Sequence, residues 1–225
     1  MTRTRESANQ HQIDTYSAQG PVQFGPWTSN IWRHDPRHLL FLLARYKFAA
    51  KMLSGREKVL EVGCGDGIGL PVLRQEVRSV HAIDAEPLVL SDAEKRAESE
   101  GATGCTFELV DLTTACPKGQ FDGALSLDVI EHIPGRLEES FMANLTAVLS
   151  PHAVCLIGTP NATAAPYASK DSKEAHVNLK HAQELRALMA GRFHNVFMFS
   201  MNDEVVHTGF SPMAHYLFGM GVGVR

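Results

Sequence analysis

Three residues near the middle of the chain have the types and spacing to move a proton or hold a cation. Asp128, Glu131 and His132 stand at i, i+3 and i+4 in the stretch Asp128-Val129-Ile130-Glu131-His132-Ile133-Pro134. On a helical turn those positions share one face. A free imidazole titrates near neutrality and suits a general base. Two carboxylates beside an imidazole also suit a divalent cation that binds and acidifies a hydroxyl. A third reading gives Glu131 and His132 only the work of orienting a loop. His132 with Glu131 is taken here as the catalytic pair, and no residue is assigned to a metal.

A second set of residues binds rather than reacts. Val59-Leu60-Glu61-Val62 is a short apolar run that ends in Gly63-Cys64-Gly65-Asp66-Gly67. Glycine there lets backbone approach a ligand that a Cβ would block. The N–H groups of a following helix favour an anion. Asp84 closes the next apolar run, about 20 residues beyond the glycines, where an acid that accepts from ribose hydroxyls belongs. Ile68 stands where the dinucleotide fingerprint requires a third spaced glycine, so that pattern fails by one residue.

The elements that must position these residues alternate. Strands are expected near 58–62, 79–84, 105–110, 121–127 and 153–158, with helices near 68–77, 87–100, 134–149 and 180–190. Asp35-Pro36 opens an earlier helix, with Asp35 as its N-cap. Alternation of this kind implies an α/β fold with a mainly parallel sheet and right-handed crossovers. Residues 193–200 and 213–220 are apolar runs with no helix between them, so these final strands are expected to be antiparallel. Residues 1–34 form a polar, irregular arm, with 35–225 as a single domain. Trp27 and Trp32 argue that the second half of the arm packs on something, over a ligand or simply on the domain.

Length and composition are those of an ordinary soluble domain: 225 residues, 44% hydrophobic, 20% charged, net charge -4. The acidic balance argues against a polyanion as partner, so nucleic acid is not expected. No apolar run approaches the roughly 20 residues that span a bilayer, and none resembles a signal peptide, so the expectation is a cytoplasmic protein with no membrane partner. Cys64, Cys105, Cys116 and Cys155 form no CxxC pair, which disfavours structural zinc. The loop from Gly158 to Asn178 follows the fifth strand and suits acceptor binding, through Asn161 and His176 in particular. The stretch 200–208 is too polar for a plain hairpin and offers His207.

Taken in order, four motifs resemble those of class I S-adenosylmethionine (AdoMet)-dependent methyltransferases: ExGxGxG from Glu61, Ile83-Asp84, Val110-Asp111-Leu112, and Phe121 through His132. The resemblance covers roughly residues 40–200 and implies a Rossmann-like doubly wound sheet. It implies that Glu61, Gly63 and Gly65 hold the methionine end of the cofactor and that Asp84 holds the ribose. Asp111 and the Leu112 backbone would contact the adenine, with Leu127 and Asp128 near the sulfonium. The fourth motif is also similar to the ExxEH stretch of ubiquinone-type and small-RNA 2'-O-methyltransferases, which use a metal. Asp128 replaces the first Glu here, and further ligands would have to come from His176 or His181. The implied activity is O- or N-methylation of a small-molecule acceptor. A sugar or sugar nucleotide of surface-polysaccharide synthesis is the preferred guess, on resemblance of the first long helix. Alternatives are an RNA or quinone-type O-methyltransferase with a metal site, a nicotinamide-dependent oxidoreductase, and a non-catalytic AdoMet-binding module. A homodimer is compatible with all of them.

Overall fold

Strands buried on both faces must be covered by helices on both sides, and the chain supplies them in alternation. The computed structural model describes residues 3–225. In chain order the elements are α1 (Gln10–Gln19), α2 (Pro26–His34), α3 (Pro36–Met52), β1 (Val59–Val62), α4 (Leu70–Leu73), β2 (Val80–Asp84), α5 (Pro87–Ser99) and β3 (Cys105–Leu109). There follow β4 (Phe121–Leu127), α6 (Glu138–Ala147), β5 (Leu149–Pro160), α7 (Lys170–Ala175), α8 (Ala182–Ala190), β6 (Phe193–Asn202), β7 (Val205–His207) and β8 (Tyr216–Val224).

The strands form one eight-stranded sheet in the order β3-β2-β1-β4-β5-β8-β6-β7. The first five in chain order pair with one another in parallel. β8 enters antiparallel between β5 and β6, and β7 pairs antiparallel with β6 at the edge. The strand order reverses across β1 and β4, which places a crevice at their carboxyl ends. Among the described residues no helix is long and apolar enough to cross a membrane.

Side chains alternate along each strand, and this sorts the core into two layers. In β1, Leu60 and Val62 join the layer under α6 and α8, while Val59 joins the layer under α3. Glu61 shares the α3 side and is met there by Tyr46. An acid in a fully buried strand therefore faces a helix that carries a donor for it.

Several sequence expectations need correction. The arm is helical over α1 and α2 rather than irregular, because Pro26 sits in the first turn of α2, where its missing N–H costs nothing. Asp35 makes no side-chain cap for α3 and pairs with Arg37 instead. The helix after the glycine turn shrinks to Leu70–Leu73, too short to offer a sustained dipole. The polar stretch near 200–208 is a hairpin after all, with Asp203 in the left-handed conformation at its turn.

Gly69 shows how closely α3 is seated on the glycine turn: a Cβ there would lie 1.9 Å from the Tyr46 ring. Gly69→Ala is expected to destabilise the fold by about 1–3 kcal/mol through overpacking. The effect reads as a lower urea midpoint at unchanged slope; an unchanged midpoint would show that α3 is not held against this turn.

Candidate active site

Three cavities meet at the carboxyl ends of β1, β2 and β4. One of about 330 Å³ runs past Asp84, Asp111 and Leu112. A second of about 250 Å³ runs past Gly63, Gly65 and Tyr46 under Trp27. A third of about 440 Å³ opens on the other side, past Glu131, Asn161 and His176. Asp128 and His132 border all three. Gly63 and Trp27 border the first two.

In the first cavity Asp84 is anchored before any ligand arrives. Its Oδ2 accepts from the Gly65 N–H at 2.8 Å and its Oδ1 from the Glu86 N–H at 2.8 Å. These bonds tie the glycine turn to the tip of β2 and leave lone pairs for further donors. Asp111 uses Oδ1 in a local turn with the Thr113 N–H and hydroxyl, at 2.8 and 2.7 Å, while still lining the cavity. Its turn role therefore leaves it on the cavity wall.

The glycines serve a purpose beyond the one expected. Gly63 and Gly65 have φ of 74° and 54°, a conformation that side chains oppose. A Cβ on Gly63 would meet Val129 at 2.2 Å, and one on Gly65 would meet Trp27 at 2.9 Å. Protein side chains therefore occupy those positions, while the backbone of the turn still borders the cavities. Burial pushes the Cys64 thiol far up, so it acts as a small packing group.

Glu61 borders none of the three cavities. It is fully buried, and its Oε1 accepts from the Tyr46 hydroxyl at 2.8 Å. Tyr46, not Glu61, forms the cavity wall. Leu127 lines the second cavity as expected from its place at the end of β4. The residues present fit AdoMet: an anchored acid at the β2 tip, an apolar first cavity closed by Leu112 and Phe141, and bare backbone at Gly63.

The turn after β4 carries Asp128, Glu131 and His132. Asp128 takes φ of 57°, rare for a residue with a side chain. Its two carboxylate oxygens both accept from Nη1 of Arg45, at 2.9 and 2.8 Å. The guanidinium also stacks on Tyr216, 3.9 Å from the ring centre. Glu131 is completely buried; its Oε2 accepts from the Thr159 hydroxyl at 3.0 Å, and its Oε1 has no partner among the described residues. Burial, then the charge of Asp128, raises its carboxyl well above the usual range.

His132 is oriented from outside. Its Nδ1 lies 3.1 Å from the Ala175 carbonyl. A carbonyl only accepts, so Nδ1 carries a hydrogen, and whenever the ring is neutral its lone pair is on Nε2. The same loop is fixed to the turn by the Val177 and Asn178 N–H groups, which both donate to the Glu131 carbonyl, at 2.9 and 3.0 Å. The His176 ring lies 5.1 Å from that of His132. Burial and then His132 lower its pKa, which keeps it neutral. Among the described residues, Glu131, His132 and His176 offer ligand atoms within 4.8 Å of one another. Asp128, held by Arg45, is not in that group.

Other residues singled out from sequence lie elsewhere. Asn161 lines the third cavity, but its amide donates to the Ser211 and Ala214 carbonyls, at 2.8 and 2.9 Å, and its oxygen caps the next turn. His207 borders none of the three cavities: it bonds to Asn202 and to the Gly209 N–H inside the hairpin. His181 begins α8, where its N–H meets Glu184 at 2.7 Å, away from the cluster. Arg45, Tyr46, Thr28 and Tyr216 were missed. They sit at ordinary positions of helices or strands, and only packing brings them to the strand tips.

Fold and site together define a class I AdoMet-dependent methyltransferase. Residues 31–192 match the family described as "Methyltransferase domain", and the chain belongs to that family. Its relatives include the ubiquinone biosynthesis O-methyltransferase of Actinobacillus pleuropneumoniae serotype 7, 34% identical over 71% of this chain and 68% of the relative. The mitochondrial ubiquinone biosynthesis O-methyltransferase of Arabidopsis thaliana is 28% identical over 75% of this chain and 55% of its own. Among solved structures, the N-methyltransferase NodS of Bradyrhizobium japonicum WM9 with S-adenosylhomocysteine superposes with a TM-score of 0.60, at 15% identity, over 85% of this chain and 91% of that one.

Two outcomes follow from this geometry. Asp84→Asn removes the charge at the β2 tip and is expected to weaken S-adenosylhomocysteine binding about tenfold or more by calorimetry; unchanged affinity would take Asp84 out of the site. Burial pushes the Glu61 pKa from 4.5 up to about 8, opposed by the Tyr46 hydrogen bond and aided by Asp84. A pKa raised in the fold adds stability that is complete below the unfolded value and lost as pH rises through the folded one. Melting temperature should therefore fall more steeply between about pH 5 and 8 in the wild type than in Glu61→Gln, with the variant the more stable at pH 8. Parallel curves would contradict the assignment.

Proposed function

We propose that the protein methylates a hydroxyl oxygen of a small, uncharged molecule, with His132 taking the proton. AdoMet, when bound, supplies a methyl group already activated by a sulfonium. The chain's part is to align the acceptor and receive its proton. One observation carries the reading: Asp128 and His132 stand where the cofactor cavities and the third cavity join. With Nδ1 committed to Ala175, the Nε2 of His132 is its basic atom. The relatives named as ubiquinone biosynthesis O-methyltransferases support oxygen as the atom modified.

The third cavity bears on the acceptor's class. Its walls combine His38, His132, His176 and Tyr167 with an aliphatic strip of Ala164, Ala165 and Ala168. Arg45, the guanidinium on its wall, is already paired with Asp128. This favours a compact hydroxylated molecule over the sugar nucleotide guessed from sequence, whose diphosphate would call for free cations.

A second reading gives the same cluster a divalent cation. The unpartnered Oε1 of Glu131 beside the His132 and His176 rings favours it. Those three residues would hold the ion, and its charge would acidify the acceptor hydroxyl.

The test is methyl transfer from labelled AdoMet to a dihydroxylated aromatic probe. His132→Ala should lower kcat about 100-fold or more while leaving cofactor affinity near wild type. Wild-type turnover in that variant would remove His132 from both readings. Loss of activity in chelator, restored by one divalent ion, would select the second reading over the first.

A further inference from the structure

Asp66 lies in the glycine turn, yet its carboxylate is taken by the arm. Its Oδ2 accepts from the Thr28 N–H at 2.7 Å and its Oδ1 from the Thr28 hydroxyl at 2.8 Å. Both residues are almost entirely buried, at 3% and 1% exposure. Gly25 packs directly on the same side chain, where a Cβ would lie 2.4 Å from that of Asp66.

The position of Thr28 explains the bond. α2 begins at Pro26 after Gly25, which has no side chain to cap it. Thr28 is the third helical residue, whose N–H an N-cap side chain ordinarily satisfies. Asp66 does this from a different part of the chain. The carboxylate also meets the positive end of the helix. Arg96 secures the junction from behind, donating to the carbonyls of Asp66 and Gln23.

Between Pro26 and Thr28 sits Trp27. Its ring lies over Gly65 and lines both cavities assigned to the cofactor, while half of the residue faces solvent. It thus stands between those two cavities and water.

We propose that Asp66 is a positioning residue for cofactor retention: by capping α2 from across the chain, it holds Trp27 as the outer wall of the cofactor site. The inference rests on the AdoMet reading of those cavities. Exchange of the cofactor then requires the first turn of α2 to lift, and the Asp66–Thr28 pair sets how easily it does so.

The chain has two tryptophans, so Trp32→Phe leaves Trp27 as sole reporter. In that background, binding of S-adenosylhomocysteine should change Trp27 emission. Labelled S-adenosylhomocysteine should leave Asp66→Ala about tenfold faster than its parent, with Thr28→Val between the two. Asp66→Asn keeps an acceptor for the Thr28 N–H and should recover most of the loss. Asp66→Ala combined with Trp27→Ala should release ligand no faster than Trp27→Ala alone. Parental release from Asp66→Ala, or effects that multiply in the double variant, would overturn the proposal. Hydrogen exchange without ligand separates this from the cofactor reading. Asp66→Ala should deprotect the amides of α2, and unchanged protection overturns the latch whatever S-adenosylhomocysteine does. Failure of the parent to bind it counts against the cofactor reading instead.

Discussion

Carboxylates gathered where parallel strands end must find donors or lose their charge, and the rest of this structure follows from how each one does. Glu61 takes the Tyr46 hydroxyl, Asp84 the N–H groups of Gly65 and Glu86, and Asp128 the Arg45 guanidinium. Glu131 takes the Thr159 hydroxyl and Asp66 both donors of Thr28. Apart from the donors to Asp84 and to Asp111, these come from α2, α3 or β5 rather than from the loops that carry the acids. The acids therefore dock the helices, and the helices wall the cavities.

α3 shows the consequence most directly. Arg45 and Tyr46 are adjacent in sequence, and they reach different strand tips, β4 and β1. One helix thus fixes the spacing between the turn that carries His132 and the turn that carries Gly63. Arg45 also gives a reason for the Asp at 128. Held by an arginine and bent into the left-handed region, this carboxylate is not one of the Glu131–His132–His176 cluster. The longer Glu expected in an ExxEH stretch would stand in a different relation to that cluster.

Much of the fold was legible in the sequence because it rests on local signals. Short apolar runs marked β1, β2 and β4, and the helix expected near 87–100 is α5 to within one residue at each end. The acids Asp84, Asp111 and Asp128 were legible because they close such runs. What escaped was set by tertiary contact. The cap of α2 comes from Asp66, 38 residues away, so no local pattern announces it. Glu61 was expected at the ligand, but alternation along β1 turns it toward α3 and buries it behind Tyr46. His207 had the right chemistry in the wrong place, since a three-residue strand folds it back on its own hairpin. The glycines were found for a reason that proved incomplete: their missing side chains make room for Val129 and Trp27.

The account depends on the three cavities forming one continuous site with His132 at their junction. A crystal soaked with S-adenosylhomocysteine tests this most directly. The account predicts the ribose against Asp84, the adenine beside Leu112, and the sulfur directed past Asp128 toward His132 and the third cavity. A ligand lying elsewhere, or one whose sulfur points away from His132, would contradict it.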